Sequence, residues 1–309
     1  MMIDSIIFCQ SRRALILALF FLLSLLVLTT KPFAQSGKLN KIEILKSLFI
    51  SEKENSSVFL QLGHSRGVQS LKVSNNGASV LSGGEDNTVK LWDSKTGRIK
   101  KTLKGHSGIV FSVDFSPDDL MALSGSTDNT LKLWDLSQGK SIKTFRGHTG
   151  YATAVKFFSN GQFALSGSSD KTLRLWDIHK GIQVNVFEGH NDAIFSIGIS
   201  SDLKHVFSGG SKGNINLWNI ETGEILKTFK HSDNASVNSI IILPNDMFVS
   251  GSADGTIKLW RQDQEEPMKE FFINNKKDEG LSIDSLAIGP NGQYLYSANS
   301  DNSLKIIDL

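Results

Sequence analysis

The sequence predicts an all-β protein made of one copied unit of four short antiparallel strands, and three observations lead there. The five tryptophans, Trp92, Trp134, Trp176, Trp218 and Trp260, are spaced by 42 residues and are every Trp in the chain. The pairs Gly63-His64, Gly105-His106, Gly147-His148 and Gly189-His190 keep the same step. Within a unit, apolar and polar residues alternate with period two rather than 3.6, the signature of half-buried strands. A fixed period in the forties means a supersecondary unit that buries its apolar face only by stacking on its neighbours.

The second unit shows the elements in order. Ile109 to Phe115 alternates as a first strand, and Ser116-Pro117-Asp118-Asp119 turns the chain into a second strand, Leu120 to Ser124. Thr127-Asp128-Asn129 is the next turn, because Asp and Asn tolerate left-handed backbone and bond their own main chain. Thr130 to Asp135 and Ser141 to Phe145 are the third and fourth strands, and no segment after residue 50 shows a convincing helical period. Units without parallel crossovers suit small sheets arranged radially.

These residues resemble the WD-repeat family of β-propellers. The resemblance is carried by the Gly-His pairs, by the Asp in the turn before each third strand (Asp86, Asp128, Asp170, Asp254, Asp301), and by Leu91-Trp92-Asp93, Leu133-Trp134-Asp135 and Leu175-Trp176-Asp177. It covers the chain from about Val58 to Leu309. It implies a hydrogen-bonded relay that locks each blade: His64/Ser82/Asp86/Trp92, His106/Ser124/Asp128/Trp134 and His148/Ser166/Asp170/Trp176. The later sets are His190, Ser208 and Trp218, then His231, Ser250, Asp254 and Trp260. A His, a Ser and an Asp per unit also suggest a catalytic triad, but an active site need not recur at a fixed period whereas a network that specifies a blade must. Five of the seven His hold the relay position, and His179 and His205 are too isolated to suggest a metal site. No catalytic residue, metal or cofactor is expected.

The pattern departs in the later units. Unit four has Lys212 in place of the turn Asp and Asn219 after its Trp; unit five has Lys230-His231 in place of Gly-His and Arg261 after Trp260. Unit six lacks both His and Trp, reading Leu304-Lys305-Ile306-Ile307-Asp308 after the polar stretch 274–280. Blades four and six are therefore expected to have the weakest internal networks, each lost relay member costing roughly 1–3 kcal/mol.

Three strands recur six times, and the outer fourth strand follows units one to five, so six blades are favoured. The sixth outer strand is available as Ser57 to Leu62, which would close the ring from the N-terminal side and remove two open edges. Seven blades are the alternative, because Leu48-Phe49-Ile50-Ser51 lies one further period upstream. The expected division is residues 1–34 as a signal peptide, 35–56 as a linker or degenerate extra strand, and 57–309 as the propeller. Arg12-Arg13 precede an apolar run from Ala14 to Leu28 and then Pro32-Phe33-Ala34, the three parts of a bacterial-type secretory signal with cleavage after Ala34. An uncleaved anchor over residues 14–28 is the alternative, though the run is short of the ~20 residues that span a bilayer.

Export is compatible with cysteine use, since Cys9 would leave with the signal and no thiol would remain. The chain has a formal charge of +2, and loss of the three basic and one acidic residues of that segment would leave 30 of each sign. A neutral protein is not steered to nucleic acid, and the Lys and Arg clusters on outer strands suit edge protection instead. Protein or peptide partners are expected. In WD-repeat propellers they often dock around the channel, which on this chain points to Gln69, Phe111, Thr153, Phe195, Asn238 and Asp284, flanked by Arg66, Glu85, Tyr151, Asp192 and Asp233. Two alternatives are a propeller enzyme or ligand binder using Asp284, Asp192 and Asp233 at the channel mouth, and a membrane-anchored envelope sensor.

Overall fold

The computed structural model describes residues 63–272, 281–289 and 292–309. Among the described residues, twenty-three strands form six antiparallel sheets, five of four strands and a last of three, and each sheet pairs its strands in sequence order. The protein is a six-bladed β-propeller. In blade one the strands are Val68–Val73, Ser79–Gly84, Thr88–Asp93 and Ile99–Lys104. The inner strands of the other blades are Val110–Phe115, Ala152–Phe157, Ile194–Ile199, Val237–Ile242 and Ile283–Ile288, and neighbouring inner strands pack on one another from blade one through blade six.

The blades are short because turn residues interrupt them at the same places. Gly97, Gly139, Gly181 and Gly223 adopt positive φ between third and fourth strands, where only glycine bears the left-handed backbone without a steric cost. The residue after each turn Asp is also left-handed: Asn87, Asn129, Lys171, Gly255 and Asn302, with Gly213 at the equivalent place in blade four. Lys171 is the one long side chain in that set.

Each blade lays one apolar face on the next. Leu81, Val89, Leu91 and Leu103 of blade one form a single cluster with Val110, Val113, Phe115, Ala122 and Trp134 of blade two, and equivalent clusters join the following blades. The recurring second-strand glycine is explained by this packing. A Cβ on Gly83 would lie 2.7 Å from the Val110 side chain, and one on Gly167 would lie 2.7 Å from Ile194. Such approach requires a residue without a side chain.

Burial is uneven around the ring. Trp134, Trp176, Trp218 and Trp260 are buried, whereas Trp92 is half-buried, as are Val68, Leu71 and Val73 of the same blade. At the other end Ile306 is 56% exposed, while its equivalents Leu91, Leu133, Leu175 and Leu217 are 7% exposed or less. Among the described residues, the faces of blades six and one are thus the least covered. The closing strand expected at Ser57 to Leu62, the possible seventh-blade stub at residues 48–51 and the signal segment all lie outside the described residues.

Candidate functional site

The relay positions converge as hydrogen-bonded sets in the first three blades. In blade two, Trp134 Nε1–H donates to Ser124 Oγ at 2.8 Å, Ser124 bonds His106 Nε2 at 2.8 Å, and His106 Nδ1 bonds Asp128 at 2.8 Å. Blade one repeats this through Trp92, Ser82, His64 and Asp86, and blade three through Trp176, Ser166, His148 and Asp170. The chemistry fixes one direction. Indole only donates and carboxylate only accepts, so the serine hydroxyl donates to Nε2 and a neutral imidazole donates from Nδ1. Each turn Asp also accepts from a backbone N–H (Ser65, Ser107, Thr149) and from a Thr hydroxyl two residues on, Thr88, Thr130 or Thr172. These threonines lie outside the relay motif, but they recur two residues after Asp86, Asp128 and Asp170, which is the signal in the sequence that marks them.

Blade four differs from the expectation. Lys212 does leave the turn without a carboxylate, but Asp192, grouped at first with the partner-facing residues, takes its place. Asp192 is 4% exposed, lies 3.4 Å from His190 Nδ1, and accepts the Lys212 backbone N–H at 2.5 Å. His190 bonds Ser208, which accepts from Trp218 at 2.8 Å. The acid arrives from the loop before the inner strand rather than from the turn, so the network is retained. Blade five differs in another way. His231 bonds Ser250 through Nδ1 at 2.7 Å and Thr256 through Nε2 at 2.8 Å, and Thr256 donates to Asp254 at 2.6 Å. The histidine and serine are 19 residues apart here against 18 in the other blades, and the extra residue turns the ring end for end. In blade six, Ser297 holds the relay serine position, buried and without a hydrogen-bond partner among the described residues.

Electrostatics follow from this wiring. Burial lowers the pKa of His64, His106, His190 and His231 below the ordinary value and outweighs the attraction of the partner carboxylates. For Asp86 and Asp128, burial acts upward but is overcome by bonds from His and Thr, and Asp128 is held at about 2. Both groups bind protons more readily in the unfolded chain, so stability rises with pH across each window. We expect stability to be full above pH ~6.5, to decline below it as unfolded histidines take up protons, and to fall again below pH ~3.8 as carboxylates do. Urea midpoints measured from pH 8 to 3 check this; a midpoint that rises between pH 7 and 5 would contradict it.

The channel-side positions share one feature that the sequence did not reveal. Gln69, Phe111, Thr153, Phe195, Asn238 and Asp284 all sit where the register of the inner strand shifts against the second, one extra residue facing the partner. Such bulges bend a strand and re-aim a side chain. Their environments nevertheless differ. Phe195 is 40% exposed, Tyr151 beside the next bulge is 52% exposed, and Phe111 is half-buried. Gln69 donates to Glu85 at 2.6 Å, Thr153 is buried and bonds the Gly167 carbonyl, and Asn238 donates to the Ile283 carbonyl. Arg66 is exposed, and Asp233 is exposed and pairs with Lys230 at 2.6 Å. Asp192 is engaged within its own blade, and no group of three His, Cys, Asp or Glu able to hold a metal occurs among the described residues.

Comparison with known proteins places these repeats. The family model for the WD domain, G-beta repeat, matches residues 56–93, 97–135, 139–177, 181–219, 223–261 and 275–308. None of the curated proteins compared with the chain matches it.

Proposed function

Because the chain belongs to the WD40 repeat family, whose propellers generally mediate protein–protein interactions, we propose that it is a non-catalytic platform for protein or peptide partners and that it works outside the cytoplasm. The observation that carries this reading is the pair Tyr151 and Phe195. They stand exposed on adjacent blades at the end of the ring that bears the Gly-His loops and turn Asp residues. Aromatic side chains give large contact area at low entropy cost and dominate interaction hot spots. Neither belongs to the buried core: Phe195 sits at the bulge of its inner strand, and Tyr151 lies just before the inner strand Ala152–Phe157. Arg66 and Asp233 supply a polar margin. Export is supported by the charged start, apolar run and Ala34 at the N-terminus.

Tyr151→Ala with Phe195→Ala is expected to leave the circular dichroism and thermal midpoint unchanged while cutting capture of partners from envelope extract by about tenfold or more, compared with wild type and with an outer-strand control, Ile142→Ala. Equal capture by all three proteins would refute the assignment of this face. N-terminal sequencing of chain recovered from outside the cytoplasm is expected to begin at Gln35.

A further inference from the structure

Toward the other end of the inner strands, blades one to three carry Lys72, Asp114 and Lys156 at one equivalent position. These side chains line a central cavity of about 180 Å³, together with Ser112, Asn238 and Ser239. The hydrogen bonds around it are one-sided. Asp114 has both oxygens engaged, one by Lys72 Nζ at 3.2 Å and the other by the Phe157 backbone N–H at 2.8 Å. Asn238 uses its carbonyl to accept from Ser236. Ser112 Oγ accepts the Val155 N–H at 3.1 Å and Ser239 Oγ accepts the Leu286 N–H at 3.2 Å, which leaves each hydroxyl hydrogen to be donated. The Lys156 ammonium, half-buried, makes no hydrogen bond or ion pair with the described residues.

What the cavity offers is therefore donors: an ammonium that no described carboxylate bonds directly, the remaining N–H groups of Lys72, and two hydroxyls. The side-chain oxygens of Asp114, Ser112, Ser239 and Asn238 are each already engaged by one donor. A partly buried cation without a direct partner is costly, and charge-assisted bonds to an oxyanion are among the strongest available to it. We propose that this cavity binds an oxyanion, carboxylate or phosphate, with Lys156 as its principal cation and the Ser112 and Ser239 hydroxyls as neutral donors. Phe195 of the aromatic face also borders this cavity, but the donors come from Lys72, Lys156, Ser112 and Ser239, so anion binding does not depend on that face holding a partner. Burial, reinforced by the like charge of Lys72 and opposed by Asp114, pushes Lys156 down to about 8. A bound anion would counter that push, and anion affinity should weaken as pH rises past 8.

The test is calorimetric titration of the full chain at pH 7 with sodium phosphate and, separately, sodium acetate, each against sodium chloride at matched ionic strength. Saturable binding by wild type is expected, weakened about tenfold or more in Lys156→Met and by a smaller factor in Ser112→Ala, which removes a donor without changing charge. The exposed Lys180→Met should bind as wild type. Binding of phosphate alone would identify a phosphate site, and binding of acetate as well would identify a site for carboxylates of either a metabolite or a peptide. If Lys156→Met does not fold, Ser112→Ala and the decline above pH 8 carry the reading. No saturable heat with either anion, or unaltered affinity in both variants, would overturn the proposal.

Discussion

Trp176→Ala is expected to destabilise the protein by about 3–5 kcal/mol, the range for emptying an aromatic site in a closed core. Trp176 is 1% exposed and packs among Leu133, Phe145, Val155, Phe157 and Ala164, residues drawn from blades two and three. Its ring meets Phe145 at 5.5 Å between centroids, and its N–H donates to Ser166 at 2.8 Å. Removing it opens a cavity at an interface between blades and takes one donor from the relay. The comparison is Trp92→Ala, which should cost less, since Trp92 keeps its bond to Ser82 at 2.7 Å but is only half-buried. Urea denaturation of the two variants measures the difference. Equal losses would mean that the junction before blade one is as tightly packed as the junction between blades two and three.

The second large effect is expected at Asp192. Asp192→Ala removes the acceptor for the partly buried Lys212 backbone N–H and the carboxylate facing buried His190, leaving these donors unpaired at about 2–3 kcal/mol. Asp192→Asn keeps an acceptor oxygen and should cost less. The informative variant is Asp192→Ala combined with Lys212→Asp, which puts a carboxylate back where blades one to three have theirs. Partial recovery in the double variant is expected, with a coupling that additivity would not give. A change under about 0.5 kcal/mol in Asp192→Ala, within the range of ordinary surface substitutions, would show that blade four does not depend on this residue.

Blade four also shows how far the sequence could be read. The repeat exposed the absent turn Asp at Lys212, because position within a copied unit is a linear property. It did not expose the replacement, because Asp192 lies 20 residues upstream and acts only once the loop and the turn are brought to the same end of the blade. Blade five makes the same point. One extra residue between His231 and Ser250 was visible as a count, but only the folded geometry turns that residue into a reversed imidazole bonded to Thr256. The channel-side positions were legible as strand residues and their bulges were not, since a register shift is a relation between two strands. The shift is common to exposed Phe195 and buried Thr153, so what separates them is the surroundings each meets in the folded ring.

The sequence by itself determined the unit, its four strands, its turns and its relay, because alternation, left-handed turn residues and a 42-residue repeat of Gly-His, Asp and Trp are local features that any copy of the unit must carry. Folding in three dimensions settles which copies complete their networks, which tryptophans are sealed, which aromatics face water and which central cation is left without a direct ion pair among the described residues. Those outcomes depend on distances between residues of different blades, and burial and electrostatic balance are set by such distances rather than by order along the chain.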